Sequence, residues 1–265
     1  KLVNSNNDNM IKVPTFIHAK NIDNTKYNIP KILIQTYKSN YVHNKIYNNI
    51  QSILNLNSDY DYYLITDNIG RELIKTNFDK NILDAFDKLN IGAAKGDFLR
   101  YIAIYVYGGV YIDLDSSITT KLTNCIDNNM EHYFVWDSDN NIMNTPIMSK
   151  PKNPIILNII KEVVKRIINN EPNIFLATGP TLVTDVIYAD ITNKTIYDTK
   201  TNVSNKARKD IWLENVNYKN GKIINIGSPE ISGILFVMND YNEKLLYPDN
   251  DKYIETYNSP TPNLY

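Results

Sequence analysis

Hydrophobic and polar positions along residues 93–107 follow the period of a helix with one buried face. The apolar residues recur at three- and four-residue steps, at Phe98, Ile102, Tyr105 and Val106. The double glycine at 108–109 predicts the end of this helix, because glycine accepts the left-handed conformation that a helix terminus often needs. Residues 110–113 then read as a short apolar strand that finishes on an acidic side chain.

Other hydrophobic runs and helical spacings alternate on both sides of this unit. Strands are predicted at 29–37, 60–66 and 132–136, helices at 41–56, 78–89, 154–168 and 181–189, and further short strands at 211–214, 222–227 and 234–238. Strands alternating with helices are typical of an α/β fold whose mostly parallel sheet carries helices on its faces. We expect a polar, irregular lead-in at 1–28 and a single domain at 29–265, with a smaller mixed portion towards the C-terminus.

The composition is that of a globular protein with a substantial core. Hydrophobic residues make up 43% of the 265 positions and the formal net charge is −1, so no basic surface for nucleic acid is indicated. Cys125 is the single cysteine, which excludes an intrachain disulfide and is typical of a reducing compartment. No run approaches the roughly 20 apolar residues of a membrane span. The sequence opens on Lys1, which is compatible with an anchor or targeting segment outside this chain.

Two aspartates follow the double glycine with one residue between them. In extended chain Asp113 and Asp115 would lie on the same face, where two carboxylates repel each other unless a cation sits between them. Mg²⁺ and Mn²⁺ are commonly held by one or two carboxylates, with substrate phosphates completing the coordination. A lone Asp-x-Asp is more often a solvated turn, but this one follows a buried helix and a hydrophobic strand. The pattern therefore favours a divalent-cation site.

A longer pattern covers residues 93–115, namely Ala-x-x-x-Asp-x-x-Arg-Tyr-x-x-x-Tyr-x-x-Gly-Gly-x-Tyr-x-Asp-x-Asp. This run resembles the signature of the glycosyltransferases with a DxD sugar-binding motif, a family 32-like group. It includes the initiating α-1,6-mannosyltransferases of the fungal Golgi and, more distantly, the glucosylating domains of clostridial toxins. The resemblance implies a GT-A fold, a nucleotide-sugar donor, Mn²⁺ or Mg²⁺ held through the DxD motif, and retention of anomeric configuration.

The same resemblance implies roles for the polar residues of this run. Asp115 is expected to bind the metal directly, and Asp113 to contact it through water or to contact the ribose. Asp97 matches a residue that hydrogen-bonds sugar hydroxyls. Arg100, one helical turn later, is expected to pair with Asp97, a phosphate or a sugar oxygen. These two are the predicted catalytic residues, and Tyr111 is expected to lie against the donor. The alternative is a structural ion pair between Asp97 and Arg100 beneath the site.

Candidate donor contacts also lie outside this run. The strand that begins the predicted domain resembles the opening strand of the family. Because ligands bind beyond the carboxyl ends of parallel strands, Gln35, Thr36 and Tyr37 are expected to contact the nucleotide. Asn144 and Gly179 match family segments after the DxD motif, and a glycine lets backbone approach a ligand closely. The alternatives are an ordinary half-buried aromatic for Tyr37 and a turn asparagine for Asn144.

A further metal or phosphate ligand near the C-terminus, often a histidine, is common in GT-A enzymes. The three histidines of this chain all come early, at His18, His43 and His132. The late residues that would substitute are Asn239, Asp240 or Asn242.

These features predict a metal-dependent retaining glycosyltransferase. It would move a hexose-type sugar from a UDP- or GDP-sugar to a glycan, protein or other hydroxyl acceptor. The alternative from another class is a catalytically inactive GT-A-fold protein that binds sugar or nucleotide. A phosphohydrolase or nucleotidyltransferase would need more acidic ligands near the DxD motif than the sequence offers. We expect a cytoplasmic or membrane-associated protein, and the resemblance is also compatible with the Golgi lumen.

Overall fold

A mixed β-sheet flanked by helices runs through the computed structural model, which describes residues 10–20, 26–196, 203–228 and 237–238. In chain order the strands are β1 (Met10–Lys12), β2 (Phe16–Ile17), β3 (Ile32–Tyr37), β4 (Tyr41–His43), β5 (Asp61–Thr66), β6 (Gly109–Tyr111), β7 (Ser116–Ser117), β8 (His132–Trp136), β9 (Ile142–Ser149), β10 (Asn217–Tyr218), β11 (Gly221–Asn225) and β12 (Val237–Met238). The helices are α1 (Asn44–Leu56), α2 (Asp67–Asn77), α3 (Lys80–Lys88), α4 (Gly92–Tyr107), α5 (Pro154–Ile168), α6 (Ile174–Ala177), α7 (Pro180–Thr192) and α8 (Asn205–Glu214).

Eight of the described strands form the main sheet, in the order β10-β11-β8-β9-β6-β3-β5-β2. β3 lies between β5 and β6 and is parallel to both, and β8 is parallel to β11. The pairs β2–β5, β6–β9, β8–β9 and β10–β11 are antiparallel. The predicted α/β fold with flanking helices is therefore confirmed. Its sheet is parallel around β3 and mixed on either side.

Helix α4 is the central helix and is buried around most of its circumference. Every residue from Asp97 to Ile104 is buried, because α4 packs against α2, α5 and β3 at once. The expectation of one buried face is wrong for the middle of this helix, since a fully enclosed helix is apolar nearly all round. Asp97 and Arg100 are the two charged residues within this stretch. Charged side chains are almost never fully buried unless they are paired, so this pair needs an explanation.

The double glycine ends α4 and begins β6. Gly108 and Gly109 have positive φ angles of 69° and 101°. A Cβ atom on Gly109 would lie 2.3 Å from the carbonyl oxygen of Ile32. Glycine is the residue that combines this backbone conformation with so close an approach. The pair therefore ends the helix as predicted and also seats β6 against β3, which brings the segment after β6 to the end of β3.

Several segments differ from the sequence-based expectations. The lead-in at 1–28 contains β1 and β2, so it is not irregular throughout, while the division into domains stays a prediction. The start of the predicted helix at 41–56 is strand β4. The predicted strand at 211–214 is wrong, because these residues are the last turn of α8. Of the predicted strand at 234–238, Val237–Met238 falls within the described residues and forms β12, paired with β7.

One segment of the described ranges, Ile174–Thr192, has the length and hydropathy of a membrane-crossing helix. It comprises α6 and α7, with Thr178 and Gly179 between them. Of its most apolar 18-residue stretch, 67% is buried inside the fold. It packs against α5 and β9. A buried core helix passes the same test, so this segment does not by itself show a membrane span.

Candidate active site

The carboxyl ends of β3 and β6 meet at one edge of the sheet, and predicted site residues collect there. Gln35 donates from Nε2 to the backbone oxygen of Asp113 at 3.1 Å, and its own Oε1 accepts a hydrogen bond from Tyr62 at 3.0 Å. Thr36 and Tyr111 are joined through their hydroxyl oxygens at 2.9 Å. Gln35 is fully buried, and its side chain is hydrogen-bonded to the DxD segment and to Tyr62. Its contact with a nucleotide stays a prediction.

The DxD segment is a turn and not the continuation of a strand. β6 ends at Tyr111, and the backbone nitrogen of Ser116 donates to the oxygen of Asp113 at 3.1 Å, which closes a turn over residues 113–116. The expected extended geometry around Asp113 and Asp115 is therefore wrong. The negative charge of Asp113 nevertheless adds, after burial, to the raised pKa of Asp115.

The carboxylate of Asp113 is anchored through one of its two oxygen atoms. Oδ1 accepts a hydrogen bond from the hydroxyl of Tyr111 at 2.8 Å and lies 3.2 Å from Nη2 of Arg100. The backbone nitrogen of Asp113 donates to Thr145 Oγ1 at 3.1 Å. The side chain is 31% exposed, and within the described ranges no residue hydrogen-bonds to Oδ2. One carboxylate oxygen is thus held by the protein while the other is available to a ligand.

Asp115 supplies a second carboxylate at the same place. Burial, followed by the charge of Asp113, raises the pKa of Asp115 to about 6. Carboxylate oxygens are the ligands that Mg²⁺ prefers, and a cation there would relieve the repulsion between the two groups. The described part of the chain brings no group of three or more His, Cys, Asp or Glu side chains together as a metal site. Two carboxylates alone would leave the other coordination positions of a cation to water and phosphate, so metal binding by Asp113 and Asp115 stays a prediction.

Arg100 links this turn to the interior of α4. Its Nη2 lies 2.8 Å from Asp97 Oδ1 and its Nη1 donates to the backbone oxygen of Asn144 at 2.8 Å, in addition to the contact with Asp113. The guanidinium lies over the ring of Tyr111, 4.7 Å from its centroid. Burial alone would lower the pKa of Arg100, but the carboxylates raise it further than burial lowers it, so the group is charged. The Arg100 Nε–H is buried and has no partner among the described residues.

Asp97 is a buried carboxylate with hydrogen-bond donors at both oxygens. Asn144 Nδ2 donates to Oδ1 at 2.8 Å and Thr178 Oγ1 donates to Oδ2 at 3.0 Å. Burial raises the pKa of Asp97 to about 6, against the opposing charge of Arg100. The predicted pairing of Asp97 with Arg100 is present, and the same guanidinium reaches Asp113. The pair is therefore both a buried ion pair and a link to the DxD turn.

The other predicted donor contacts lie in different surroundings. Tyr37 is 7% exposed and packs in the hydrophobic cluster on the α1 side of the sheet, so it is more buried than the half-buried aromatic of its structural alternative. Asn144 lies in strand β9, where its side chain contacts Asp97, so the turn interpretation is wrong for it. A Cβ atom on Gly179 would lie 2.9 Å from Cα of Phe175, so the glycine is required for the close turn between α6 and α7. Donor binding by these three residues stays a prediction.

Sequence reasoning missed several residues that hold the site together. Thr178 donates to the carboxylate of Asp97, and Thr145 accepts from the backbone of Asp113. Asn49 of α1 donates to the backbone oxygen of Ser116, in the DxD turn. Thr178 stands beside Gly179 in a segment that resembles the family, so its position is a usable signal. Asn49 is one asparagine in an asparagine-rich chain, and nothing local distinguishes it.

The proposed late ligands Asn239, Asp240 and Asn242 lie outside the described residues. Of the histidines, His43 caps α1 by accepting a hydrogen bond from the backbone of Lys45, and His132 lies buried in β8.

Known proteins resemble the part of the chain that holds this site. Residues 43–135 match the family described as the glycosyltransferase sugar-binding region containing a DXD motif. Inositol phosphoceramide mannosyltransferase 3 of Schizosaccharomyces pombe is 28% identical over 177 residues, which are 64% of this chain and 48% of that protein. A mannosyl phosphorylinositol ceramide synthase of Saccharomyces cerevisiae is 33% identical over 51% of this chain and 35% of that protein. The chain thus spans about half or less of the length of these relatives.

A solved structure, the PaToxG glycosyltransferase, has the same fold. It superposes with a TM-score of 0.53 at 15% sequence identity, over 69% of this chain and 86% of that one. At this identity the likeness concerns the fold alone, and it agrees with the GT-A type that the sequence predicted. The resemblance found in the sequence is confirmed: residues 43–135, which hold Asp97, Arg100, Asp113 and Asp115, match the sugar-binding region of the glycosyltransferases with a DXD motif.

Proposed function

We propose that this protein is a metal-dependent glycosyltransferase that moves a hexose-type sugar from a UDP- or GDP-sugar to a hydroxyl acceptor, with retention of anomeric configuration. One observation carries the proposal. Arg100 contacts both Asp97 and Asp113, so the predicted sugar-binding carboxylate and the predicted metal-binding turn belong to one buried network. A purely structural ion pair would not need to include the exposed edge of the DxD turn.

Different residues would bind the diphosphate and the sugar of the donor. Asp115 and Oδ2 of Asp113 would hold Mn²⁺ or Mg²⁺, which neutralises the charge of the departing diphosphate when bound. Asp97 lies deeper, where Oδ2 already accepts a hydrogen bond from Thr178 and would have one lone pair left for a sugar hydroxyl. Arg100 stays charged in this setting and keeps the two aspartates in a fixed relation. We assign no general base, since the retaining mechanism implied by the resemblance does not require an obvious one.

The relatives suggest which compounds to test first. Two of them are named for mannosyl transfer to inositol phosphoceramide, so a mannose donor and that lipid head group lead the list. Other nucleotide sugars and other glycan or protein acceptors follow. Membrane association or a Golgi location belongs to the same proposal.

A panel of UDP- and GDP-sugars with Mn²⁺ tests the proposal. A donor that binds only the native state raises the melting temperature, and the same donor should be hydrolysed slowly. The double variant Asp113→Asn with Asp115→Asn should lower hydrolysis at least about 100-fold, because a bound metal supplies several kcal/mol of charge stabilisation. The control is Asp84→Asn with Asp87→Asn, which removes the same charge from exposed positions on α3. Donor binding that is indifferent to Mn²⁺, without turnover, would favour the inactive binding protein.

A further inference from the structure

The carboxylate of Asp115 is positioned by its backbone. No other side chain of the described residues hydrogen-bonds to it, whereas Asp113 is held by Tyr111 and Arg100. A metal ligand without such supports can point correctly only if the main chain on either side of it is fixed. The neighbours of Asp115 in the turn are Leu114 and Ser116.

A single amide side chain from α1 binds the main chain on both sides of Asp115. Asn49 Nδ2 donates to the backbone oxygen of Ser116 at 2.8 Å and lies 3.4 Å from that of Leu114. Its Oδ1 accepts a hydrogen bond from the hydroxyl of Ser117 at 2.8 Å. Asn49 is 9% exposed, so these contacts are made away from solvent. The amide thus uses its donors and its acceptor on the segment that carries Asp115.

The chemistry of this position favours asparagine over its near-isosteres. Aspartate has the same shape but has no N–H groups, and it would set a negative charge against two carbonyl oxygens. An alanine would leave both carbonyl oxygens without this donor. Buried main-chain groups that lose a partner cost free energy, and the turn would rearrange to recover one.

We propose that Asn49 is a positioning residue that fixes the turn bearing Asp115 and thereby sets the affinity of the site for Mn²⁺ or Mg²⁺. This inference rests on the proposed function, because it takes Asp115 as a ligand of the metal. Groups that orient metal ligands typically change metal affinity by about 10–100-fold when they are replaced. Asn49 reaches the metal only through the backbone, so we expect the lower end of that range.

The chain offers a matched control one residue away. Asn48 is on the same helix but is exposed, and its side chain has no part in the turn. Asn48→Asp and Asn49→Asp therefore add the same charge to the same element. The dissociation constant for Mn²⁺ is measured by electron paramagnetic resonance of the free ion, with a nucleoside diphosphate present, and melting temperatures are recorded alongside.

Asn49→Asp should weaken Mn²⁺ binding about tenfold, and excess Mn²⁺ should restore much of the lost donor hydrolysis. Asn48→Asp should bind Mn²⁺ as the unchanged protein does. Equal dissociation constants for the two variants would overturn the role of Asn49 while leaving the proposed function intact. If Asn49→Asp does not fold, Asn49→Ala against Asn48→Ala makes the same comparison without a buried charge. An unchanged protein that binds no Mn²⁺, or binds it equally well after Asp113→Asn with Asp115→Asn, would overturn the proposed function as well.

Discussion

Asp97 lies in the buried middle of α4, and each of its two carboxylate oxygens accepts a hydrogen bond. Asp97 receives hydrogen bonds from Asn144 and Thr178 as well as the charge of Arg100. Thr178 is fully buried, and its backbone oxygen accepts a hydrogen bond from Tyr101 at 2.7 Å. The orientation of Asp97 therefore depends on a residue 81 positions later in the chain.

Thr178→Val should weaken binding of the nucleotide sugar by about tenfold while leaving binding of the free nucleoside diphosphate unchanged. Valine keeps the shape of threonine but removes the donor to Oδ2 of Asp97, and a hydrogen bond to a charged group contributes about 1.5–3 kcal/mol. The sugar half of the donor depends on Asp97 in the proposed function, and the diphosphate half does not. Calorimetric titration with both compounds measures the difference.

Thr178→Ser is the control for this substitution, because it keeps the hydroxyl and removes a methyl group. It should bind the nucleotide sugar as the unchanged protein does. If serine and valine weaken sugar binding equally, packing and not the hydrogen bond to Asp97 is what Thr178 supplies.

Three helices meet at a second buried group of charged side chains. Arg166 of α5 donates to Glu162 at 2.8 Å, to Asp185 of α7 at 3.0 Å and to the backbone oxygen of Leu176 in α6 at 2.7 Å. All three charged side chains are buried. This network joins α6 and α7, whose connection carries Thr178, to α5.

Arg166→Met should lower the free energy of unfolding by about 3–5 kcal/mol, because the buried carboxylates of Glu162 and Asp185 lose their shared cation. Urea unfolding followed by circular dichroism measures the change. Lys161→Met, at an exposed position on the same helix α5, also replaces a cation by methionine. It should cost less than about 1 kcal/mol, as substitutions at exposed positions usually do. Equal midpoints for the two variants would contradict a stabilising role for the network.

The elements that the sequence predicted well are those with a long local period. The 93–115 run combines a helical repeat, a double glycine and a strand, and each signal is read from neighbouring residues. By contrast, Ile211, Trp212 and Leu213 form too short a run to separate a strand from a helix. In the structure they belong to α8, where Trp212 is buried and donates to the backbone of Asn140.

Contacts between segments that are distant in the sequence could not be predicted. The spacing of Asp97 and Arg100 indicated their pairing because they lie on one helix. The contacts of Asn49 with the DxD turn and of Thr178 with Asp97 span 65–67 and 81 positions. They depend on which strands pair and in which direction, and periodicity does not contain that information. The antiparallel return of β9 beside β6, which brings Asn144 to Asp97, is of the same kind.

Buried His132 in β8 should contribute a loss of stability on mild acidification. Its ring lies between Phe134 and Tyr218, and burial lowers its pKa from 6.5 to about 4, although Glu131 opposes the shift. The unfolded chain therefore binds the proton more readily, so this stability is fully present above pH 6.5 and is lost as the pH falls towards 4. A shift of this size corresponds to about 3 kcal/mol.

Urea unfolding at pH 7.5 and 4.5 measures the contribution of His132. The comparison is His132→Asn, which keeps an acceptor for Asn153. The variant should lose less stability between the two pH values than the unchanged protein. An equal change of stability with pH in the two proteins would contradict a contribution from His132.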